Sequence, residues 1–155
     1  MLYCTWRRHT RALMILPLVA LAGCDRSSTE AEHGEPQSLE LVQRGTTTVL
    51  AWTHGTGSAI HWDGELPHLH PNEDIAVNAI FRDGDGDVIP LGGEFTVNAV
   101  LVPGSPTGVV ELYAHGDHVD IEAVGVGTVQ IIFQLMHGNH SDWDLPPIEL
   151  EVEDD

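Results

Sequence analysis

HVDIEAVGVGTVQIIFQL, residues 118–135, decides the fold class. Val119, Ile121 and Ala123 alternate with Asp120 and Glu122, and Val129, Ile131, Phe133 and Leu135 alternate with Gln130, Ile132 and Gln134. A period of two puts the apolar side chains on one face of an extended strand, whereas a helix needs them three and four residues apart. Val124 to Gly127 between the two runs reads as a turn. The simplest expectation is one antiparallel hairpin, Val119–Ala123 against Thr128–Ile132, in which residue numbers summing to about 251 face one another.

Outward from this stretch the same alternation recurs in Ile75, Val77, Ala79, Phe81 and in Ile148, Leu150, Val152. In the last run Glu149, Glu151 and Glu153 fill the other face, as in a sheet with one side on a core and one in water. Further strands are expected over 38–43, 47–53, 57–62, 94–101 and 108–114. Gly, Pro, Asn and Asp clusters separate them, among them Gly55-Thr56-Gly57, Asp83 to Asp87, Gly92-Gly93, Pro103-Gly104 and Pro146-Pro147. No segment offers ten residues of helical period. Eight or nine short strands at this spacing predict an all-β sandwich.

The N-terminus reads differently. Arg7, Arg8 and Arg11 precede an apolar run from Ala12 to Ala22 that is too short to span a bilayer core of about 30 Å. Together they have the parts of an export leader. The run ends in Leu21-Ala22-Gly23-Cys24, which resembles the bacterial lipoprotein box. That resemblance implies removal of residues 1–23 and lipidation of Cys24. Two or three acyl chains hold a protein on a membrane durably where one does not. Asp25 resembles the residue that retains lipoproteins on the periplasmic side of the inner membrane in enteric-type bacteria; the outer membrane is the other possible address. Residues 24–37 lack large apolar side chains and read as a lipidated cysteine followed by a flexible tether. One domain is expected over 38–155.

Charge narrows the partners. The chain carries a formal net charge of −18 and no lysine, and beyond the leader only Arg26, Arg44 and Arg82 offset 24 acidic residues. So acidic a surface repels phosphate backbones and attracts cations, so nucleic acid is not expected as a partner. Cys4 leaves with the leader and Cys24 is spent on lipid, so the folded domain has no thiol for a disulfide, a metal site or a nucleophile.

The stretch from Val109 to Phe133 contains, over Val110 to Ile131, the pattern V-x-L-x-A-HGDH-V-x-I-x-A-x-G-x-G-T-x-x-I, which resembles the C-terminal half of bacterial immunoglobulin-like domains. The resemblance covers about a quarter of the mature chain and implies an immunoglobulin-like β-sandwich. The leader, the HGDH and HGNH motifs and the closing PPI strand together resemble small His-rich bacterial lipoproteins.

Histidine is the chemical anomaly. Ten occur, and only His9 lies in the leader. His115-Gly116-Asp117-His118 and His137-Gly138-Asn139-His140 are two copies of H-G-x-H. In the expected hairpin both copies fall at its open end, where four imidazoles would serve Zn²⁺ or Cu²⁺. Asp117, Asp120 and Asp142 are candidates for a further ligand or for acceptors that orient the rings. His68 and His70 point to the same side if their segment is extended and form a second candidate group together with His61. His33 and His54 read as weak contacts at most. The run Asp83-Gly84-Asp85-Gly86-Asp87 starts like a calcium loop, but Val88 stands where that loop needs glycine, so an acidic turn is the better reading and Ca²⁺ is not expected.

No G-x-S-x-G elbow, phosphate-binding loop or dinucleotide turn is present, and an enzyme is not expected. His68-Leu69-His70 is similar to the H-x-H pair of copper-zinc superoxide dismutases, but the similarity stops at those two residues. Two functional classes follow. One is an anchored metal-binding protein that buffers, senses or delivers Zn or Cu, with a metal transporter or another envelope protein as partner. The other is a non-catalytic immunoglobulin-like interaction module of the envelope.

Overall fold

A computed structural model describes residues 34–154. The leader, Cys24, Asp25 and His33 lie outside the described residues. Ten strands follow in chain order: β1 Pro36–Gln43, β2 Val49–His54, β3 His61–Gly64, β4 Asp74–Asp83, β5 Phe95–Leu101, β6 Val110–Ala114, β7 His118–Ala123, β8 Gly127–His137, β9 His140–Asp144 and β10 Ile148–Val152. They form two antiparallel sheets packed as a β-sandwich. One sheet has the order β3-β2-β1-β4-β7-β6; the other has β10-β8-β5, with β9 beside the second half of β8.

Without the β2–β3 hairpin and β9, the sheets are β1-β4-β7-β6 and β10-β8-β5. This is the strand order of immunoglobulin constant-type sandwiches, ABED against GFC. The β2–β3 hairpin enters between the first two of those strands and widens one sheet. The short β9 enters before the last strand.

The alternating residues meet in the middle. Leu39, Leu41, Val77, Phe81, Val119 and Ile121 from one sheet face Val97, Ile131, Phe133, Leu135 and Leu150 from the other, all essentially inaccessible to water. Each such side chain contributes about 1.5–3 kcal/mol relative to exposure. Trp62 packs edge-on against Phe133 at 6.4 Å, and Trp143 against Phe81 at 6.2 Å. The Trp62 indole N–H donates to the Pro146 carbonyl at 2.7 Å, which satisfies its polar edge. Thr53 is buried in this core, and its hydroxyl oxygen accepts the Leu39 N–H at 2.9 Å.

The structure corrects the expected hairpin. β7 pairs with β4 and β6, whereas β8 pairs with β5, β9 and β10. The Val124–Gly127 link therefore crosses from one sheet to the other. It is held tight: the Val124 and Gly125 N–H groups both donate to Val109 O, and a Cβ on Gly125 would lie 2.7 Å from Gly108 O. Period two fixes which residues face the core, but two apolar rows facing each other across the core alternate just as two rows side by side do.

Two expected elements also differ. Residues 57–59 form a single 3₁₀ turn, and the strand begins only at His61. β9 was not expected, because His140–Asp144 carries one large apolar residue, Trp143, among polar ones.

Candidate metal centre

Each H-G-x-H motif builds a two-residue hairpin loop. Ala114 faces Val119, and the His115 N–H donates to His118 O at 2.9 Å, so the first motif closes the β6–β7 hairpin. His137 faces His140, so the second closes the β8–β9 hairpin. A two-residue loop that follows the twist of its strands needs positive φ at its first position. Glycine stands there in both cases, with φ 88° at Gly116 and 58° at Gly138. The glycine thus sets the turn, and the turn places one imidazole directly opposite the other. Side chains facing across an antiparallel pair have Cβ atoms about 4.5–5.5 Å apart.

A carboxylate joins each pair. In the first tip the His115 and His118 rings stack at 4.7 Å, 17° from parallel. Asp120 shares their side of β7, two residues beyond His118. Its oxygens lie 3.1 Å from His115 Nε2 and 3.7 Å from His118 Nε2. In the second tip the rings are 5.4 Å apart, with Asp142 oxygens 3.5 Å from His137 Nδ1 and 2.8 Å from His140 Nε2. Leu135 faces Trp143 but Met136 faces Ser141, so Asp142 is the extra residue of a β-bulge. The bulge turns its carboxylate toward the imidazoles. In each trio one ligand atom from every residue lies within 4.8 Å of the others.

The surroundings hold these rings in place. Asp117 Oδ1 lies 2.6 Å from His118 Nδ1, on the far side of the ring from Asp120. That hydrogen bond, with Arg44 3.6 Å from the other carboxylate oxygen, keeps the Asp117 carboxyl below its ordinary pKa although desolvation opposes the shift. Asp117 therefore orients His118, and Asp120 supplies the carboxylate of the trio. Phe95 stacks beneath His137 at 4.7 Å. The first tip is the more sheltered, with the His118 side chain 14% exposed against 68% for His140.

The two tips are neighbours without forming one centre. Gly116 bridges to Val97 on one edge of β5, and His137 pairs with Phe95 on the other. The β5 backbone stands between them, and Gly116 and Leu135 lie two strand spacings apart, about 10 Å. The four imidazoles expected together at the end of one hairpin thus fall into two separate clusters, each of two imidazoles and one carboxylate that could hold a metal ion.

His68 and His70 lie elsewhere. Leu69, buried between them, bridges to Val152, and both histidines turn toward the end of β10. His68 Nδ1 is 3.3 Å from a Glu153 carboxylate oxygen, and His70 Nδ1 is 3.0 Å from the Glu153 carbonyl oxygen. Val152 faces Gly127 at the start of β8, the opposite end of the sandwich from His137. His68 and His70 both contact Glu153 and do not join the H-G-x-H tips. The Asp83–Asp87 run is a turn in which Asp83 Oδ1 accepts the N–H groups of Asp85 and Asp87, each at 3.0 Å.

His61, expected beside His68 and His70, belongs instead to a third trio. His54 faces His61 across the β2–β3 hairpin, and Asp63 follows two residues on. The overlooked signal is a repeated tripeptide: His61-Trp62-Asp63, His118-Val119-Asp120 and His140-Ser141-Asp142 are all H-x-D, each preceded across a turn by another histidine.

Two imidazoles and a carboxylate suit divalent transition metals, with water free to complete the coordination sphere at such accessible positions. No protein-family model, no curated protein and no solved structure matches the chain.

Proposed function

We propose that this protein is an envelope lipoprotein, anchored through Cys24, that binds divalent transition-metal ions, Zn²⁺ or Cu²⁺, for buffering, sensing or delivery. The observation that carries the metal reading is the duplicated H-G-x-H-x-D hairpin tip, in which each copy gathers two imidazoles and one carboxylate. Chance surface histidines have no reason to recur at paired strand positions with a carboxylate at the same offset. Sites this exposed and short of protein ligands exchange their ion with water and with a partner, which suits holding and handing over rather than permanent structural binding. The negative surface raises the local concentration of cations around them. Leader, lipid box and Asp25 support a place on the periplasmic side of the inner membrane, within reach of a metal transporter.

The test is calorimetric titration of the metal-free full chain in detergent with Zn²⁺ and with Cu²⁺, beside a variant carrying His115→Ala, His118→Ala, His137→Ala and His140→Ala. Submicromolar binding weakened or reduced in stoichiometry by the four substitutions upholds the reading. Weak binding that the substitutions leave unchanged overturns it and favours the envelope interaction module instead, for which exposed Trp52 on the outer face of β2 would be the first surface to probe.

A further inference from the structure

We infer that His54, His61 and Asp63 form a third divalent transition-metal site, so that the protein carries three separate ions on one end of its sandwich; this rests on the metal-binding reading of the two H-G-x-H tips. The third trio is built by the same device from a different loop. His54 and His61 are a paired position of the β2–β3 ladder, Trp52 faces Asp63, and His54, His61 and Asp63 all lie on the outer face of the six-stranded sheet. The intervening loop is six residues long instead of two, but ladder register rather than loop length brings the rings together. Their centroids are 3.9 Å apart, and His54 Nδ1 is 2.8 Å from Asp63 Oδ2.

One hydrogen bond prepares the site further. His61 Nδ1 lies 3.0 Å from the Ala59 carbonyl oxygen. A carbonyl only accepts, so that nitrogen carries the proton, and in the neutral ring Nε2 is left with the lone pair that a metal needs. Metal-bound histidines are commonly oriented by such a contact through their other nitrogen.

Strand register places the third trio with the other two. β4 runs from Asp74 toward Asp83, with His118 opposite Asn78, so the β6–β7 tip projects toward the Asp83 end. Trp52 faces Glu40 and Glu40 faces Ile80, so His54, two residues beyond Trp52, also lies toward that end. The β2–β3 and β6–β7 seams are four strand spacings apart, about 19 Å, so the ions bind separately. The loop between His54 and His61 also walls a cleft of about 860 Å³ whose other side includes Asp142 and Trp143, next to the second tip. An ion bridging β2 and β3 would fix that wall.

Equilibrium dialysis of the full chain against Zn²⁺, with metal counted by mass spectrometry, tests the inference. The expected counts are three ions for the wild type, one for the variant lacking His115, His118, His137 and His140, and none when His54→Ala and His61→Ala are added. Cu²⁺ should also quench tryptophan fluorescence in the four-substitution variant, through Trp52 and Trp62 beside the site, and this quenching should vanish in the six-substitution variant. A wild type that binds two ions and a four-substitution variant that binds none would overturn the third site while leaving the metal-binding reading intact. A wild type that binds none overturns both. One ion retained after all six substitutions places it elsewhere and overturns the third site.

Discussion

Two independent hairpin tips and one four-histidine centre make opposite predictions for single substitutions. His115→Ala and His140→Ala each leave one imidazole and one carboxylate at their own tip. Both side chains are largely exposed, 48% and 68%, so the metal-free proteins should unfold within about 0.5 kcal/mol of the wild type. An ion at a hundred times its dissociation constant stabilises the folded state by about 2.7 kcal/mol. Unfolding entropy of about 2.1 cal/mol/K per residue gives about 0.25 kcal/mol/K for roughly 120 residues, so each occupied tip raises Tm by about 10 °C. Differential scanning calorimetry with and without Zn²⁺ should show each substitution removing about 10 °C of the metal-induced rise and the pair removing about 20 °C, because tips separated by β5 act additively. If either substitution alone removes as much of the rise as the pair does, the tips share one ion and the separation given by the β5 register is refuted.

Three other expectations concern the scaffold and the anchor. Thr53→Val strips the buried Leu39 N–H of its acceptor and should cost about 1–3 kcal/mol in urea denaturation, whereas Thr53→Ser should retain most of the stability. Desolvation pushes the Asp83 carboxyl up, but N–H groups of Asp87, Asp85, Gly34 and Gly86 together outweigh it and hold its pKa below the ordinary 3.8. A folded-state pKa below the unfolded one gives stability that is present above about pH 4 and lost as pH falls through the folded value. Asp83→Asn should therefore lower the denaturation midpoint at pH 7 and narrow the gap from wild type near pH 3; an equal loss at both pH values would contradict this. Cys24→Ser should abolish incorporation of labelled palmitate and release the protein from membranes in a bacterial host; retention of label would locate the lipid on another residue.

How far the sequence could be read depended on the range of each interaction. Alternation such as Ile148, Leu150, Val152 against Glu149, Glu151, Glu153 reports burial of one face, a local property, and the inward residues follow it closely. Which strands are neighbours is not local: Val119–Ala123 and Val129–Leu135 look like hairpin partners and belong to opposite sheets, because period two is the same on both sides of a core. β9 escaped notice because His140–Asp144 carries a ligand pair and a bulge instead of an apolar row. The site shows the same division. The H-G-x-H motifs were legible as metal-binding candidates because two closely spaced histidines recur in two copies, a local signal; that each copy closes its own two-residue hairpin was not. Asp120 and Asp142 stood among the candidate carboxylates, but that they rather than Asp117 join the rings, and that His54, His61 and Asp63 meet, depends on strand register. His68 and His70 both contact Glu153, and this placement beside β10 separates them from the tips.

The containment of each ligand set within one hairpin makes the tips behave as portable cassettes. Ligand spacing in the first comes from six consecutive residues, His115 to Asp120, and in the second from six more, His137 to Asp142. Beyond a pair of strands held in register, the sandwich adds only Arg44 beside Asp117 and Phe95 beneath His137. Transplanted onto the two-residue loop of an unrelated β-hairpin, either segment should carry its chelating geometry along. Substitutions that loosen the core of this protein should likewise erode its stability well before they disturb the ligand spacing at the tips.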